Sequence, residues 1–107
     1  MRDIEKIVGA KFPRTMEEFQ RINKEQIKLF AKKQHDYGPG NISMGGNTEL
    51  ALLGIAIRSN DKVQRLLNVL QNNKGETAVN ETIIDTLQDL SIYGIIAQIV
   101  YNKKWGK

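Results

Sequence analysis

The feature that most constrains the fold is the segment from Glu81 to Val100, whose spacing and apolar content both indicate one long helix. Carboxylates recur along it at every fourth position: Glu81, Asp85 and Asp89. On a helix these side chains form one acidic stripe. The stripe continues onto three isoleucines: Ile92, Ile96 and Ile99. Since isoleucines favour burial, we expect the stripe to face a partner helix or a cleft.

The second half of this helix is apolar on nearly all sides. From residue 90 to residue 100 the sequence reads LSIYGIIAQIV. Two other long helices cannot easily cover every side of it. The simplest solution is a homo-oligomer that buries the remaining face, and the small residues Ser91, Gly94 and Ala97 would permit close helix approach.

Helical periodicity extends through most of the chain, and no segment shows the alternation of a strand. We predict helices over residues 1–12, from Thr15 to about Gln34, from Thr48 to about Gln71, and a last helix to about Asn102. Thr15 and Glu18 have the spacing of a capping box, and Thr77 or Asn80 is expected to cap the last helix. The predicted fold is all-α: a helical bundle of three long helices plus a short N-terminal helix, in one domain over residues 1–107.

A glycine-rich segment, HDYGPGNISMGGN, separates the second and third helices at residues 35–47. Its glycines and proline argue against regular structure. A long loop in a small domain is often functional, because its backbone amides can approach a ligand closely. The alternative is a flexible connection. No lysine follows at the position that a phosphate-binding loop requires.

Composition excludes several kinds of site. The 107 residues include no cysteine and one histidine, which removes disulfides, thiolate zinc sites and most nucleophilic triads. His35, beside Asp36, is more often a helix-end residue than a catalytic base, so we assign no catalytic residue. A net charge of +4 fits a phosphate-bearing small ligand and equally a generic basic surface. We expect a cytoplasmic protein that binds neither membrane nor duplex nucleic acid.

A charged group on the third helix allows two interpretations. Arg58, Asp61, Lys62 and Arg65 fall together opposite its apolar face. In one interpretation Asp61 forms surface ion pairs with Arg58 and Arg65, each contributing a few tenths of a kcal/mol. In the other, the two arginines and the lysine form a phosphate site.

Three segments in this order carry a resemblance to a known family. They read KKQHDYGPGN, RSNDKVQRLLNVL and ETIIDTLQDLSIYGIIA, starting at residues 32, 58 and 81. Together they resemble the small phage and bacterial family called nucleotide modification associated domain, type one. The similarity covers roughly residues 25–102. It falls on Asp36, Tyr37, Gly38, Arg58, Asp61, Lys62, Arg65, Asn68, Glu81, Asp85, Asp89 and Tyr93.

The resemblance implies an all-α protein of phage or prophage nucleotide biology, located in the host cytoplasm if phage-encoded. The family is also distantly similar to MazG-type nucleotide pyrophosphatases, in which helical carboxylates hold magnesium against a triphosphate. This chain departs from their carboxylate pattern, because its second long helix offers only Asp61 among cations. Fewer carboxylates beside more arginines favour direct phosphate binding.

Three hypotheses follow. The first is a nucleotide-binding protein that sequesters a nucleotide or cyclic-nucleotide signal, acting against host defence, with no cofactor required. Phosphates would bind Arg58, Lys62 and Arg65, while Asp85, Asp89 and Tyr93 recognise base or ribose and residues 37–41 close over the site. The second is a magnesium-dependent MazG-like pyrophosphatase, using Asp61 with Glu81, Asp85 and Asp89 as metal ligands. The third is a structural helical oligomerisation module. The ligand-binding residues of the first are Asp36, Tyr37, Gly38, Asn41, Arg58, Asp61, Lys62, Arg65, Asp85, Asp89 and Tyr93.

Overall fold

A computed structural model of the chain describes residues 3–107, and this part of the chain folds into helices without any strand. The all-α prediction is confirmed. Three helices are long, as predicted. The helices are α1 (Ile4–Lys11), α2 (Pro13–Tyr37), α3 (Gly40–Ser43), α4 (Thr48–Asn72) and α5 (Ile83–Tyr101). The first two residues of the predicted 1–12 helix lie outside the described residues.

The chain divides into two compact units, and the division falls within α2, after Lys33. The first unit contains α1, whose N-terminus is capped by Asp3 through a 3.2 Å bond from the Lys6 amide. The second unit, Gln34–Lys107, contains α3, α4 and α5. All the side-chain bonds of the candidate site described below lie within this second unit. The arrangement as a single bundle stays a prediction.

The predicted start of α2 differs from the structure, whereas that of α4 agrees with it. Helix α2 begins at Pro13, so Thr15 lies inside its first turn and the predicted capping box is wrong. Proline suits the first helical position, because its fixed φ is already helical and its missing N–H would have no partner there. Helix α4 begins at Thr48 as predicted, and the side chain of Asn47 caps it by accepting the Leu50 amide at 3.0 Å.

The start of α5 lies later than predicted, because Thr82 caps this helix in place of Thr77 or Asn80. The Thr82 hydroxyl accepts the Asp85 amide at 3.1 Å, and the Asp85 carboxylate accepts the Thr82 amide at 2.8 Å. This reciprocal pair is a capping box. Glu81 therefore precedes the helix, and the acidic stripe does not continue to it with helical geometry.

The glycine-rich segment contains more regular structure than predicted. Helix α2 continues to Tyr37 and ends at Gly38, whose φ of 67° is left-handed. The short helix α3 and a single 3₁₀ turn, Met44–Gly46, fill most of the remainder. The glycines thus separate short helical turns instead of preventing them, and the segment packs on α4 through Ile42, which is buried.

Helices α4 and α5 pack along each other and form the core of the second unit. The order of their bonded residues is reversed, Lys62 with Asp89 and Arg65 with Thr86, so the pair is antiparallel. The buried apolar residues of the pair are Ala51, Ile55, Val69, Ile92, Ile96 and Val100. The predicted stripe does face a partner helix at Asp89, Ile92 and Ile96.

Helix α5 is also long and apolar enough to cross a membrane, judged by length and composition alone. This is weak evidence, because the core helix of a soluble protein meets the same criterion. Asp85 and Asp89 lie within the helix, and Asp89 pairs with Lys62 on α4.

Candidate functional site

Five side chains tie the first half of α5 and the residue before its cap to the middle of α4. We call this group the clasp; its members are Lys62, Arg65, Glu81, Thr86 and Asp89. The Lys62 ammonium lies 2.5 Å from Glu81 Oε1 and 3.1 Å from Asp89 Oδ2. All three of these side chains are between one fifth and one third exposed, so the ion pairs are shielded yet reachable from solvent. Lys62 therefore holds two carboxylates that are eight residues apart in sequence.

Arg65 completes the clasp from the next turn of α4. Its Nη1 donates to Thr86 Oγ1 at 2.6 Å, its Nη2 donates to the Glu81 carbonyl, and its Nε lies 3.7 Å from Glu81 Oε2. Thr86 is fully buried, and its hydroxyl lies 3.3 Å from the Thr82 carbonyl, to which it can donate. The planar guanidinium thus binds both the backbone and the side chains at the start of α5.

These pairings shift the pKa values of two groups, the Glu81 carboxyl and the Lys62 ammonium. The hydrogen bond from Lys62 lowers the pKa of the Glu81 carboxyl, although partial burial opposes this shift. The same bond raises the pKa of the Lys62 ammonium, and Asp89 adds to that rise. Both shifts favour the charged forms, as expected for an ion pair whose members stabilise each other.

One turn earlier on α4, Arg58 connects the clasp region to the glycine-rich segment. Its Nη2 donates to the Asn41 carbonyl at 3.0 Å. The predicted ion pairs of Asp61 with Arg58 and Arg65 do not form among the described residues, and Asp61 is exposed. The reason is geometric: the two arginines face α3 and α5, where carbonyl and carboxylate acceptors lie in reach.

The predicted site residues fall into two groups. Asn41, Arg58, Lys62, Arg65 and Asp89 come together, and Glu81 joins them from outside α5. Asp85 lies apart, in the cap of α5. Asp36 and Tyr37 are exposed at the end of α2, Tyr37 by 69%, and Gly38 ends that helix. Tyr93 is half-buried one turn after Asp89.

The predicted metal ligands do not form a metal-binding group. Within residues 3–107, no cluster of three His, Cys, Asp or Glu side chains is placed to hold an ion. Asp85 is engaged in the cap, and the Lys62 ammonium lies between Glu81 and Asp89. A magnesium ion at this place would have to displace that ammonium.

Two residues with clear roles were not among the predicted site residues. Thr86 is the buried partner of Arg65. It lies inside the segment ETIIDTLQDL, which carries part of the family resemblance, and that place in the sequence could have indicated it as a site residue. Trp105 binds the glycine-rich segment: its Nε1 donates to the Pro39 carbonyl at 3.0 Å. No local pattern predicts this bond, because 66 residues separate the partners.

Comparisons with protein-family models, with curated proteins and with solved structures find no match to this chain. The candidate site is therefore interpreted from its own chemistry. The clasp offers two cations, two carboxylates and a buried hydroxyl at the junction of two helices. Such a group can bind an anion through Lys62 and Arg65, or it can hold the helices together.

Proposed function

We propose that the protein binds a nucleotide at the clasp and sequesters it. The observation that carries this proposal is the convergence of the three sequence segments on one partly exposed charged cluster. Arg58 joins the first segment through the Asn41 carbonyl, and Lys62 and Arg65 join the third through Glu81 and Asp89. The ligand class, a nucleotide or a cyclic nucleotide of phage–host conflict, comes from the family resemblance.

Binding would exchange partners at two cations. A phosphate would accept hydrogen bonds from the Lys62 ammonium and from Nε of Arg65, replacing carboxylate oxygens of Glu81 and Asp89, while the two Nη atoms of Arg65 keep their bonds to Thr86 and the Glu81 carbonyl. The released carboxylates would then accept the amino or hydroxyl groups of base and ribose. Because both cations are already held beside the Glu81 carboxylate, little side-chain ordering remains for binding.

The test is incubation of the purified protein with a panel of linear and cyclic nucleotides, with and without magnesium. Retention and turnover are both measured. Intact ligand recovered after denaturation supports sequestration. Arg65→Met should abolish retention, whereas the matched control Arg21→Met, at an exposed pair on α2, should leave it unchanged. Circular dichroism checks that both variants remain helical.

Turnover would instead support the magnesium-dependent pyrophosphatase. In that reaction Glu81, Asp85 and Asp89, with Asp61, would serve as metal ligands after Lys62 is displaced. Pyrophosphate release that requires magnesium and is lost in Asp85→Asn would contradict sequestration. Absence of both retention and turnover, with Arg65→Met changing stability alone, would identify the clasp as a structural device.

A second candidate function is self-association through α5, because this helix keeps an exposed apolar face. Ile84, Leu87, Ile95 and Tyr101 lie within about a third of the helix circumference and are each at least 45% exposed. A homo-oligomer that pairs these faces would remove them from water.

Sedimentation of wild type and two matched variants tests this second function. Ile95→Lys should shift the protein toward the monomer, because a charge would enter the apolar contact. Ile57→Lys, an equivalent change at an exposed isoleucine of α4, should leave the sedimentation coefficient as in wild type. A wild-type protein that is monomeric at high concentration contradicts the proposal.

A further inference from the structure

A cavity of about 230 Å³ lies at the end of the α4–α5 pair, near the start of α4 and the end of α5. Its polar wall contains Ser43, Gly46, Thr48, Lys103 and Lys107. Ala51 and Val100, both buried, form apolar wall, and Trp105 adds an aromatic surface. None of these residues belongs to the clasp. Lys62 lies eleven positions after Ala51 on α4, a distance of about 16 Å along a helix.

The C-terminal tail forms one side of the cavity and is held on the glycine-rich segment. After α5 the chain turns at Lys103, whose φ of 58° is left-handed. The Trp105 indole then donates to the Pro39 carbonyl, which fixes the ring as part of the wall. Gly106 has a φ of 73°, and a Cβ at this position would lie 3.1 Å from Pro39 Cβ. Glycine therefore permits the close approach that keeps Trp105 in place.

The cavity lining favours an anion. Lys103 and Lys107 contribute positively charged side chains, Ser43 and Thr48 contribute hydroxyl groups, and no lining side chain is acidic. The lining also includes the first residue of α4, a helix of 25 residues whose N-terminal dipole favours negative charge. Glu49, the acidic residue in that first turn, is exposed and is not part of the lining.

The size and the apolar wall limit the ligand further. Small-molecule sites usually occupy about 300–1,000 Å³, so a cavity of about 230 Å³ suits a compact molecule. The aromatic face of Trp105 and the side chains of Ala51 and Val100 can contact one planar ring. A dinucleotide would exceed this space.

We propose that this cavity binds a compact organic anion, in which a phosphate or carboxylate group is attached to a single ring. Lys103 and Lys107 bind the anionic group together with the hydroxyls of Ser43 and Thr48. The ring lies against Trp105 and the apolar wall formed by Ala51 and Val100. The site is separate from the clasp, and its occupation does not depend on nucleotide binding there.

Trp105 makes the test specific, because it is the single tryptophan of the chain. Tryptophan emission of the full chain is followed during titration with phenyl phosphate, benzoate, inorganic phosphate and neutral benzyl alcohol. We expect a saturable change with phenyl phosphate or benzoate, at lower concentration than with inorganic phosphate. Benzyl alcohol should give no saturable change. The better of the two ring anions identifies the charged group of the ligand.

Two matched double variants test whether the charges of Lys103 and Lys107 bind the anionic group. Lys103→Gln with Lys107→Gln should weaken binding of the ring anion about tenfold or more, because two charge-assisted contacts are lost. Lys104→Gln with Lys74→Gln removes the same charge from exposed positions outside the lining and should change affinity less than about threefold.

Three results would overturn the proposal: no saturable emission change with either ring anion, equal response to benzyl alcohol, or equal weakening by both lysine pairs. Arg65→Met separates this site from the proposed nucleotide site. That variant should lose nucleotide retention and keep the response of Trp105 to ring anions. If the response of Trp105 is lost in Arg65→Met while the helix content is unchanged, the two sites are not separate.

Discussion

At the scale of single residues, Arg65 connects α4 to the start of α5 at three points. It binds the hydroxyl of Thr86, which is fully buried, and also the carbonyl and carboxylate of Glu81. Buried polar groups are costly when they lose their partners. Among the described residues, every buried side-chain nitrogen and oxygen has a hydrogen-bond partner. Removal of Arg65 would therefore take away the guanidinium donor of the Thr86 hydroxyl and of the Glu81 carbonyl.

We expect Arg65→Met to lower the free energy of unfolding by about 2 kcal/mol, since hydrogen bonds to a charged group are lost while the apolar stem is kept. Thr86→Val should cost about 1 kcal/mol. The double variant should cost less than the sum by about 0.5 kcal/mol or more, because the two groups share one bond. Urea unfolding followed by circular dichroism measures all three. Simple additivity would contradict the direct contact.

The Lys62–Glu81 pair should make stability depend on pH. Since folding lowers the pKa of the Glu81 carboxyl, its contribution is present above about pH 4.3, the usual glutamate pKa. That contribution is lost as the pH falls through the lower pKa of the folded state. Since folding raises the pKa of Lys62, its contribution is present below about pH 10.4 and is lost as the pH rises through the higher folded pKa.

The measurement is the urea midpoint against pH for wild type and Glu81→Gln. Wild type should lose more stability than the variant between about pH 5 and pH 3, because only wild type can protonate residue 81. At alkaline pH, the urea midpoint of Glu81→Gln should fall less steeply than that of wild type, because Lys62 has lost its Glu81 partner. Parallel curves at both ends would show that the pair contributes nothing to folding.

At the scale of elements, the cap of α5 controls where its charged residues lie. Because the helix begins at Ile83, Glu81 stays in the connecting segment and can reach back to Lys62 and Arg65 on α4. Asp85 is held in the capping box, and Asp89 lies on the packed face one turn later. A helix that began near Thr77 would rotate Glu81 and Asp85 into different positions. The capping box thus decides the composition of the clasp.

Loss of the cap should destabilise the second unit. Thr82→Ala removes the side-chain acceptor of the Asp85 amide, and we expect it to lower the free energy of unfolding by about 1 kcal/mol. Asn80→Ala, two residues earlier at an exposed position, should have a much smaller effect. Thermal or urea unfolding of both variants provides the comparison. If Asn80→Ala costs more than Thr82→Ala, then the cap lies where the sequence alone placed it.

At the scale of the whole molecule, side-chain bonds join the different elements of the second unit, residues 34–107. They include Arg58 to the Asn41 carbonyl, Lys62 to Glu81 and Asp89, Arg65 to Thr86, and Trp105 to the Pro39 carbonyl. The chain divides after Lys33 into two compact units. The second unit therefore contains its own core and its own polar connections.

A fragment of residues 34–107 should fold without the preceding residues. We expect helical circular dichroism and a cooperative urea transition, because the α4–α5 core and the clasp are complete within it. The matched test is Arg65→Met in the fragment, which should lower stability by the same amount as in the full chain. A fragment without cooperative unfolding would show that residues before 34 are needed for the core.

The amino-acid sequence by itself determined that the chain is helical and where its long helices lie. The all-α fold and the bounds of α4 within one residue follow from the spacing of apolar residues, which is a local property. The sequence also predicted that Arg58, Lys62, Arg65 and Asp89 belong to one site. The start of α5 could not be read this way, because Thr77, Asn80 and Thr82 are all suitable caps within six residues.

Only the tertiary structure decided the partners. Asp61 is close to both arginines in sequence, yet Arg58 binds a carbonyl 17 residues away and Arg65 binds Thr86, 21 residues away. The same holds for Trp105, whose partner is 66 residues distant. Local spacing says which side chains share a helix face. Which acceptor they meet depends on how α4, α5 and the glycine-rich segment pack, and that is a property of the assembled core.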